Sequence, residues 1–475
     1  MGHGRSGAAP LSAAGRKHRV LRAIDPATGA LVREVAPADP AAVEGTLAAA
    51  AAAFPSWRAT SFAQRAAHLG AVARQLRADA DRLASLMTEE MGKPIREARG
   101  EVEKCAWCCE HFAAHAEAYL ADEPLPSDAT RSWVRYQPLG VVLGILPWNS
   151  PFWLAFRVCA PALMAGNVCL IKPDPHVPGC GQALPEVFAR AGVPAGVLGV
   201  LAIETDAVAP VVRDRRIAAV SFTGSTRAGR AVAALAASEV KPAVLELGGS
   251  DPAVVLADAD LEAAAAALAL TRTIATGQSC IAPKRMLIEA PVYERFTELL
   301  RVRLATLVVG DPASETTDVG PIARRELRDE LHRQVRETVA AGARCLLGGE
   351  IPDGPGCFYP VTLLADVGPD TPAFREETFG PVACLTRARD AEDALALANH
   401  TDYGLAASVW GETARAEALA AGIEAGQVVV NGLVKTDPRL PSGGIKCSGY
   451  GRELGPHGIR EFVNAQQVWV GPKVG

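Results

Sequence analysis

Hydrophobic and polar positions change rhythm several times along the chain. Short β-like stretches flank the turn Asp25-Pro26-Ala27-Thr28-Gly29. From Asp39-Pro40 to Cys109 the pattern is helical and Ala-rich, with Asp39 suited to cap and Pro40 to the first turn. Gly92-Lys93-Pro94 punctuates that region. Beyond residue 133 the texture is different. Val141 to Leu146 reads as a buried strand, Phe156 to Met164 as a helix, Val168 to Ile171 as a strand and Gly181 to Ala191 as a helix. Val197 to Ile203 and Ala219 to Phe222 read as strands, and Arg227 to Ala237 as a helix. Strands and helices alternating at this spacing predict βαβ units on a parallel sheet. A second alternating block runs from near Leu245 past residue 430, so two α/β domains with a cleft between them are expected. Ligands of such sheets sit at the carboxyl ends of strands, near helix N-termini.

The chain has 475 residues, 49% hydrophobic and 21% charged, which fits a globular protein of two or three domains. Its net charge of −5 gives no electrostatic reason to expect nucleic acid or an anionic membrane as partner. Leu261 to Leu270 is too short and too Ala-rich for a membrane span and reads as a core helix. Residues 1 to 18 lack the apolar run of a secretory signal and are expected to be a disordered tail. The eleven cysteines are mostly scattered, which suits a reducing cytoplasm rather than a disulfide framework. Cys105, Cys108 and Cys109 cluster on a predicted helix, and CxxCC with only His111 and His115 nearby makes a poor zinc site. No metal site is expected.

Four stretches can carry chemistry. Phe222-Thr223-Gly224-Ser225 follows a strand and opens a helix, as a turn that cradles a pyrophosphate does, although a plain strand–helix turn has the same form. Cys280 follows a Gly-containing turn and is either a nucleophile or an inert thiol. Glu246, between two leucines, is costly to bury as an anion, so it is either hydrogen-bonded structure or a base of raised pKa. Asn149 follows a strand in Pro147-Trp148-Asn149-Ser150-Pro151, where it can be an oxyanion donor or a turn residue.

The combination is more specific than its parts. PWN, IKP, FTGS, LELGG, GQSC, EETFGP and LPSGGIKCSGYGRE occur in that order from residue 147 to 453, and Glu90-Met91-Gly92-Lys93-Pro94 with Glu97 extends the series toward the N-terminus. The chain thereby resembles the aldehyde dehydrogenase superfamily, over nearly all of its length after about residue 20. ALMAGN, PHVPGC, VLELGGSDP and the ending from Lys435 to Asn464 look most similar to the succinate-semialdehyde dehydrogenase branch.

That resemblance implies an α/β fold with a Rossmann-like cofactor domain (19–120 and 140–246), a catalytic α/β domain (247–445) and a small β oligomerisation element (121–139 and 446–475). It implies a homodimer or homotetramer acting on a small-molecule aldehyde. Cys280 would attack the aldehyde carbon, Asn149 would hold the oxyanion, hydride would pass to a nicotinamide, and Glu246 would activate the water that hydrolyses the thioester. Lys172 would bind the adenine ribose, Ser225 with Gly224 a phosphate, and Glu377 the nicotinamide ribose, with Trp148 and Phe379 lining the cofactor site. NAD-preferring relatives place a Glu where this chain has Pro175, so nothing acidic there opposes a 2′-phosphate; NADP is favoured, with NAD usable.

Arg157 matches the position from which semialdehyde dehydrogenases hold a distal carboxylate, with a structural ion pair as the alternative. Lys435 and Arg439 add positive charge in a later loop. Several positions depart from the family. Ser150 and Ser442 replace two aromatic walls, which predicts a wider and more polar substrate pocket. Thr276 replaces an Asn, Ile274 an Arg, Val158 a relay lysine and Ile281 a vicinal cysteine, while Glu453 of the relay is kept. Succinate semialdehyde is the expected substrate, and a bulkier or differently charged aldehyde, such as a phosphonate or amino-acid semialdehyde, is the alternative.

Overall fold

The computed structural model describes residues 20–471, and the tail expected at 1 to 18 lies outside them. Two sheets organise the chain. The first has six strands in the order Gly449–Tyr450, Ala243–Glu246, Ile217–Thr223, Val141–Ile145, Val168–Lys172, Leu198–Val200. The five inner and far strands are parallel, and only the short Gly449–Tyr450 strand runs antiparallel, against Glu246 and Leu245. Val141–Ile145 and Val168–Lys172 are buried at every residue, as expected for strands covered by helices on both faces. Gly144 lets these strands pack closely, because a Cβ there would lie 2.9 Å from Ile171 Cδ1 and displace that side chain.

The predicted helices are found with longer starts. Pro151–Met164 begins five residues before the apolar run, because Pro151 fits its first turn. Thr226–Ser238 begins directly after Ser225, whose hydroxyl accepts from Ala228 N and caps it. Asp39 caps Pro40–Arg58 through Ala42 N.

The second sheet has seven strands in the order Arg344–Leu347, Thr362–Ala365, Val382–Ala388, Arg285–Glu289, Pro252–Val255, Ala406–Trp410, Gln427–Val430. All neighbours are parallel except the first pair. It has its own cores on its two faces, separate from the core of the first sheet. A third sheet joins Val463–Val470, Arg131–Pro138 and Glu123–Pro124.

The stretch assigned from residue 446 onward to oligomerisation divides in two. Tyr450 extends the first sheet, and Leu454, Ile459 and Phe462 pack into that sheet's core. Only Val463–Val470 enters the third sheet, because the apolar residues before it are needed to close the first core. Among the described residues no helix is long and apolar enough to cross a membrane, and no group of three His, Cys, Asp or Glu side chains is placed to hold a metal ion. Cys105, Cys108 and Cys109 are buried free thiols that burial pushes upward in pKa.

Candidate active site

Glu246 ends a buried strand of the first sheet, and its backbone carbonyl accepts from Gly224 N at 3.0 Å. The FTGS turn is thus hung on the residue that carries the candidate base. Gly224 has no room for a side chain, since a Cβ would sit 2.7 Å from the Phe222 ring.

Cys280 follows three consecutive residues in the left-handed region: Ala275 (φ 53°), Thr276 (φ 60°) and Gly277 (φ 72°). Such a conformation costs roughly 1–3 kcal/mol at each non-glycine residue, so its surroundings must hold it. Glu97 accepts from Ala275 N at 2.6 Å, Thr276 Oγ1 accepts from Gly320 N at 3.0 Å, and Gln278 Oε1 accepts from Ala323 N at 2.9 Å. A Cβ at Gly277 would lie 2.3 Å from Gly380 O. The family's Asn at position 276 has a physical reason here, because Asn adopts this backbone region at lower cost than β-branched Thr.

Lys284, buried, donates to the carbonyls of Ser279 and Cys280 and stands 3.7 Å from Glu377. Asn149 Nδ2 donates to Gln278 O at 3.0 Å, which fixes the amide beside the Cys280 turn and leaves its second N–H free to donate. Burial pushes the Cys280 thiol up to about 11, against the downward pull of Lys284 and Arg157. The thiol therefore gains nucleophile only as pH rises. Inactivation of the ligand-free protein by iodoacetamide is expected to speed up ~10-fold per pH unit between pH 7 and 9. A rate already level across that range would contradict it.

Arg157 is where the structure corrects the sequence. Its guanidinium is 3% exposed and lies 3.1 Å from Glu246 Oε2 and 2.5 Å from Glu453 Oε2, so it bridges two buried carboxylates instead of facing the pocket unpaired. Burial opposes its charge, but Glu453 and then Glu246 overcome that and keep it protonated. For Glu246, burial raises the carboxyl above its usual range, Arg157 opposes the rise and Glu453 adds to it. Glu246 Oε1 is buried without a hydrogen-bond partner. One oxygen of the candidate base is anchored and the other is free to take a proton.

Ser442 also differs from expectation. It is 2% exposed, and Gln427 Nε2 donates to its hydroxyl at 3.3 Å, so the hydroxyl is buried and engaged. Ser150 accepts from Lys93 Nζ at 3.1 Å, and Lys93 is paired in turn with the buried Glu101. Glu101 also accepts from Phe152 N and Trp153 N, closing the first turn of Pro151–Met164. Neither serine simply widens the pocket.

The cofactor candidates converge at the carboxyl edge of the first sheet. Lys172 is buried, and its ammonium makes no hydrogen bond or ion pair among the described residues. It ends the strand beside a cleft of about 620 Å3 lined by Asp174, Pro175, His176, Glu204 and Arg324. Asp174 is occupied by His176 and Arg324. Glu204 is a carboxylate that the sequence did not place near position 175; it comes from a later crossover. Glu377 accepts from Gly249 N at 3.1 Å, and burial raises its carboxyl. Gly248 lets the Glu377 carboxylate approach the backbone, since a Cβ there would meet Glu377 Oε2 at 2.6 Å and push it away. Phe379 stands edge-on to Trp148 with ring centres 5.8 Å apart. An unpaired ammonium, a side-chain-free turn at Gly224 and a carboxylate cradled by glycines fit a dinucleotide.

Glu101, Lys104 and Lys284 escaped the sequence reading, whereas Glu97 stood in it with the motif at residues 90–94. Glu97, Glu101 and Lys104 recur three or four residues apart on one face of the helix Ile95–Tyr119, a spacing that signals a shared polar face inside an otherwise apolar element.

Comparison with known proteins bears on this geometry. A family model described as "Aldehyde dehydrogenase family" matches residues 13–468. A Synechocystis protein described as a probable succinate-semialdehyde dehydrogenase (NADP(+)) is 47% identical over 95% of this chain and 99% of its own. An Escherichia coli succinate semialdehyde dehydrogenase (NAD(P)+) is 47% identical over 94% of this chain and 97% of its own. Among solved structures, the succinic semialdehyde dehydrogenase of Streptococcus pyogenes in complex with NADP+ aligns with a TM-score of 0.93 and 34% identity, over 95% of this chain and 100% of that one.

Proposed function

Because this chain belongs to the aldehyde dehydrogenase family, we propose that it oxidises succinate semialdehyde to succinate with NADP, NAD serving less well. The observation that carries the chemistry is the meeting of a reachable Cys280, an Asn149 amide fixed beside it and a Glu246 carboxylate with one unpartnered oxygen.

The Cys280 thiolate attacks the aldehyde carbon, forming a C–S bond and moving the carbonyl electrons onto oxygen. Asn149 Nδ2 and the Cys280 backbone N–H donate to that oxyanion. When bound, the dinucleotide supplies the hydride acceptor. Lys172, Gly224, Ser225, Glu377, Trp148 and Phe379 would hold it. Cys280 is left carrying the acyl group as a thioester. Glu246 takes a proton from water, the water oxygen adds to the acyl carbon, and the C–S bond breaks to free the acid and the thiolate. Arg157 is a positioning residue in this scheme, holding Glu246 by one oxygen.

The burial of Ser442 and the engaged hydroxyls of Ser442 and Ser150 support a short substrate over a bulkier one. NADP is supported by the relatives and by Pro175, while Glu204 in the same cleft is consistent with use of NAD. A homo-oligomer is supported by the third sheet, where Val463–Val470 pairs on one edge only and Trp469 is 48% exposed. A cytoplasmic location is supported by eleven free cysteines.

The test is initial-rate formation of reduced nicotinamide, crossing NADP and NAD with succinate semialdehyde and butanal. A kcat/KM for succinate semialdehyde at least ~10-fold above that for butanal is expected from one charge-assisted contact. Equal values would remove the carboxylate from the account.

A further inference from the structure

Arg157 spends Nη2 on Glu246 and Glu453 while its Nε is buried without a partner, so a second cation near it would complete a seat for the distal carboxylate of the proposed substrate. Arg439 does not supply it freely, because Asp437 engages it at 2.8 and 2.6 Å. Lys104 is different. Its Nζ donates to Thr436 Oγ1 at 2.7 Å and lies 4.2 Å from the centre of the Trp153 ring, and it makes no ion pair among the described residues.

Thr436 Oγ1 also accepts from Trp153 Nε1 at 3.1 Å. Both of its acceptor positions are then filled, so the hydroxyl has only its proton left to give, and no described residue accepts it. An ammonium with two unused N–H groups and a hydroxyl with an unused O–H thus stand together without an acceptor. Thr436 is 5% exposed, which makes its unmet O–H costly, and the half-buried Lys104 stands against it. Burial, with Arg157 nearby, pushes the Lys104 ammonium down to about 8, against Cys105 and Glu101. Trp153 lies one helical turn before Arg157 on Pro151–Met164, so this cluster shares the helix face that reaches Glu246.

We infer that Lys104, with the Thr436 hydroxyl, is the anchor for the carboxylate of the aldehyde substrate and sets the enzyme's preference for an acidic chain end. This rests on the substrate proposed above. A carboxylate would fill the missing acceptor positions, and a neutral chain of equal length would leave them unmet.

The experiment measures the ratio of kcat/KM for succinate semialdehyde to that for butanal in wild type, Lys104→Met, Lys104→Arg and Thr436→Ala, with melting temperature followed for each. The ratio is expected to fall about 10- to 100-fold in Lys104→Met, chiefly through KM for succinate semialdehyde. Lys104→Arg should retain most of it, and Thr436→Ala should lower it less than Lys104→Met does. A merely structural lysine would depress both substrates together and leave the ratio in place. A wild-type preference that survives in Lys104→Met and in Thr436→Ala overturns the inference and leaves the substrate standing. Absence of any wild-type preference removes the substrate, and the inference with it.

Discussion

Glu246→Gln is expected to produce one equivalent of reduced nicotinamide per site in a rapid burst and then almost stop. The first half of the reaction asks nothing of Glu246, because Cys280 and the Asn149 amide act on the aldehyde. The second half needs a proton acceptor for water, and Gln cannot be one. Loss of a positioned base typically costs about 10²–10⁴-fold, which sets the expected fall in steady-state turnover. The substitution keeps the shape of the side chain, and Glu453 remains beside Arg157, so the guanidinium keeps one carboxylate partner. A burst of unchanged amplitude with a slow steady state is therefore the expected progress curve in rapid-mixing absorbance. Unchanged steady-state turnover would mean that another group activates the water.

Cys280→Ala is expected to remove burst and steady state together. Deleting a nucleophile that forms the covalent intermediate costs on the order of 10⁴-fold or more. Cofactor binding, followed by nicotinamide-dependent quenching of Trp148 and its neighbours, should persist, since Lys172, Ser225 and Glu377 hold their places through contacts that do not involve the thiol. Cys345 and Cys447, the other thiols that are not buried, offer no substitute: Cys345 donates to carbonyls of its own loop, and the Cys447 sulfur accepts from Arg230. Residual activity above a thousandth of wild type would count against Cys280.

What the sequence displayed well is what depends on local pattern. Fully apolar strands at the spacing of βαβ units gave the first sheet, and Gly224, Cys280 and Glu246 were visible because each breaks the pattern around it: a glycine in a turn, a thiol after a turn, an acid in an apolar strand. What it did not display depends on partners from distant segments. Arg157 reads as a free cation until Glu453, from the far end of the chain, is seen beside it. Ser442 reads as an opening until its burial and its contact with Gln427 are seen. Pro175 reads as an absence of acid until Glu204 arrives from another crossover. Lys104 and Thr436 are remote in sequence and meet directly, beside Trp153, only in the fold. The two-residue strand Gly449–Tyr450, which joins the first sheet, carries too little periodicity to be read in the sequence.

The measurement that bears most directly on the account is mass analysis of the Cys280 peptide. Glu246→Gln is mixed with NADP and one equivalent of succinate semialdehyde, quenched in acid within the burst and digested. The account predicts a single succinyl group on Cys280, labile to hydroxylamine as a thioester is, and absent when NADP is omitted. An unmodified Cys280 after a full burst, or the succinyl group on another residue, would contradict it.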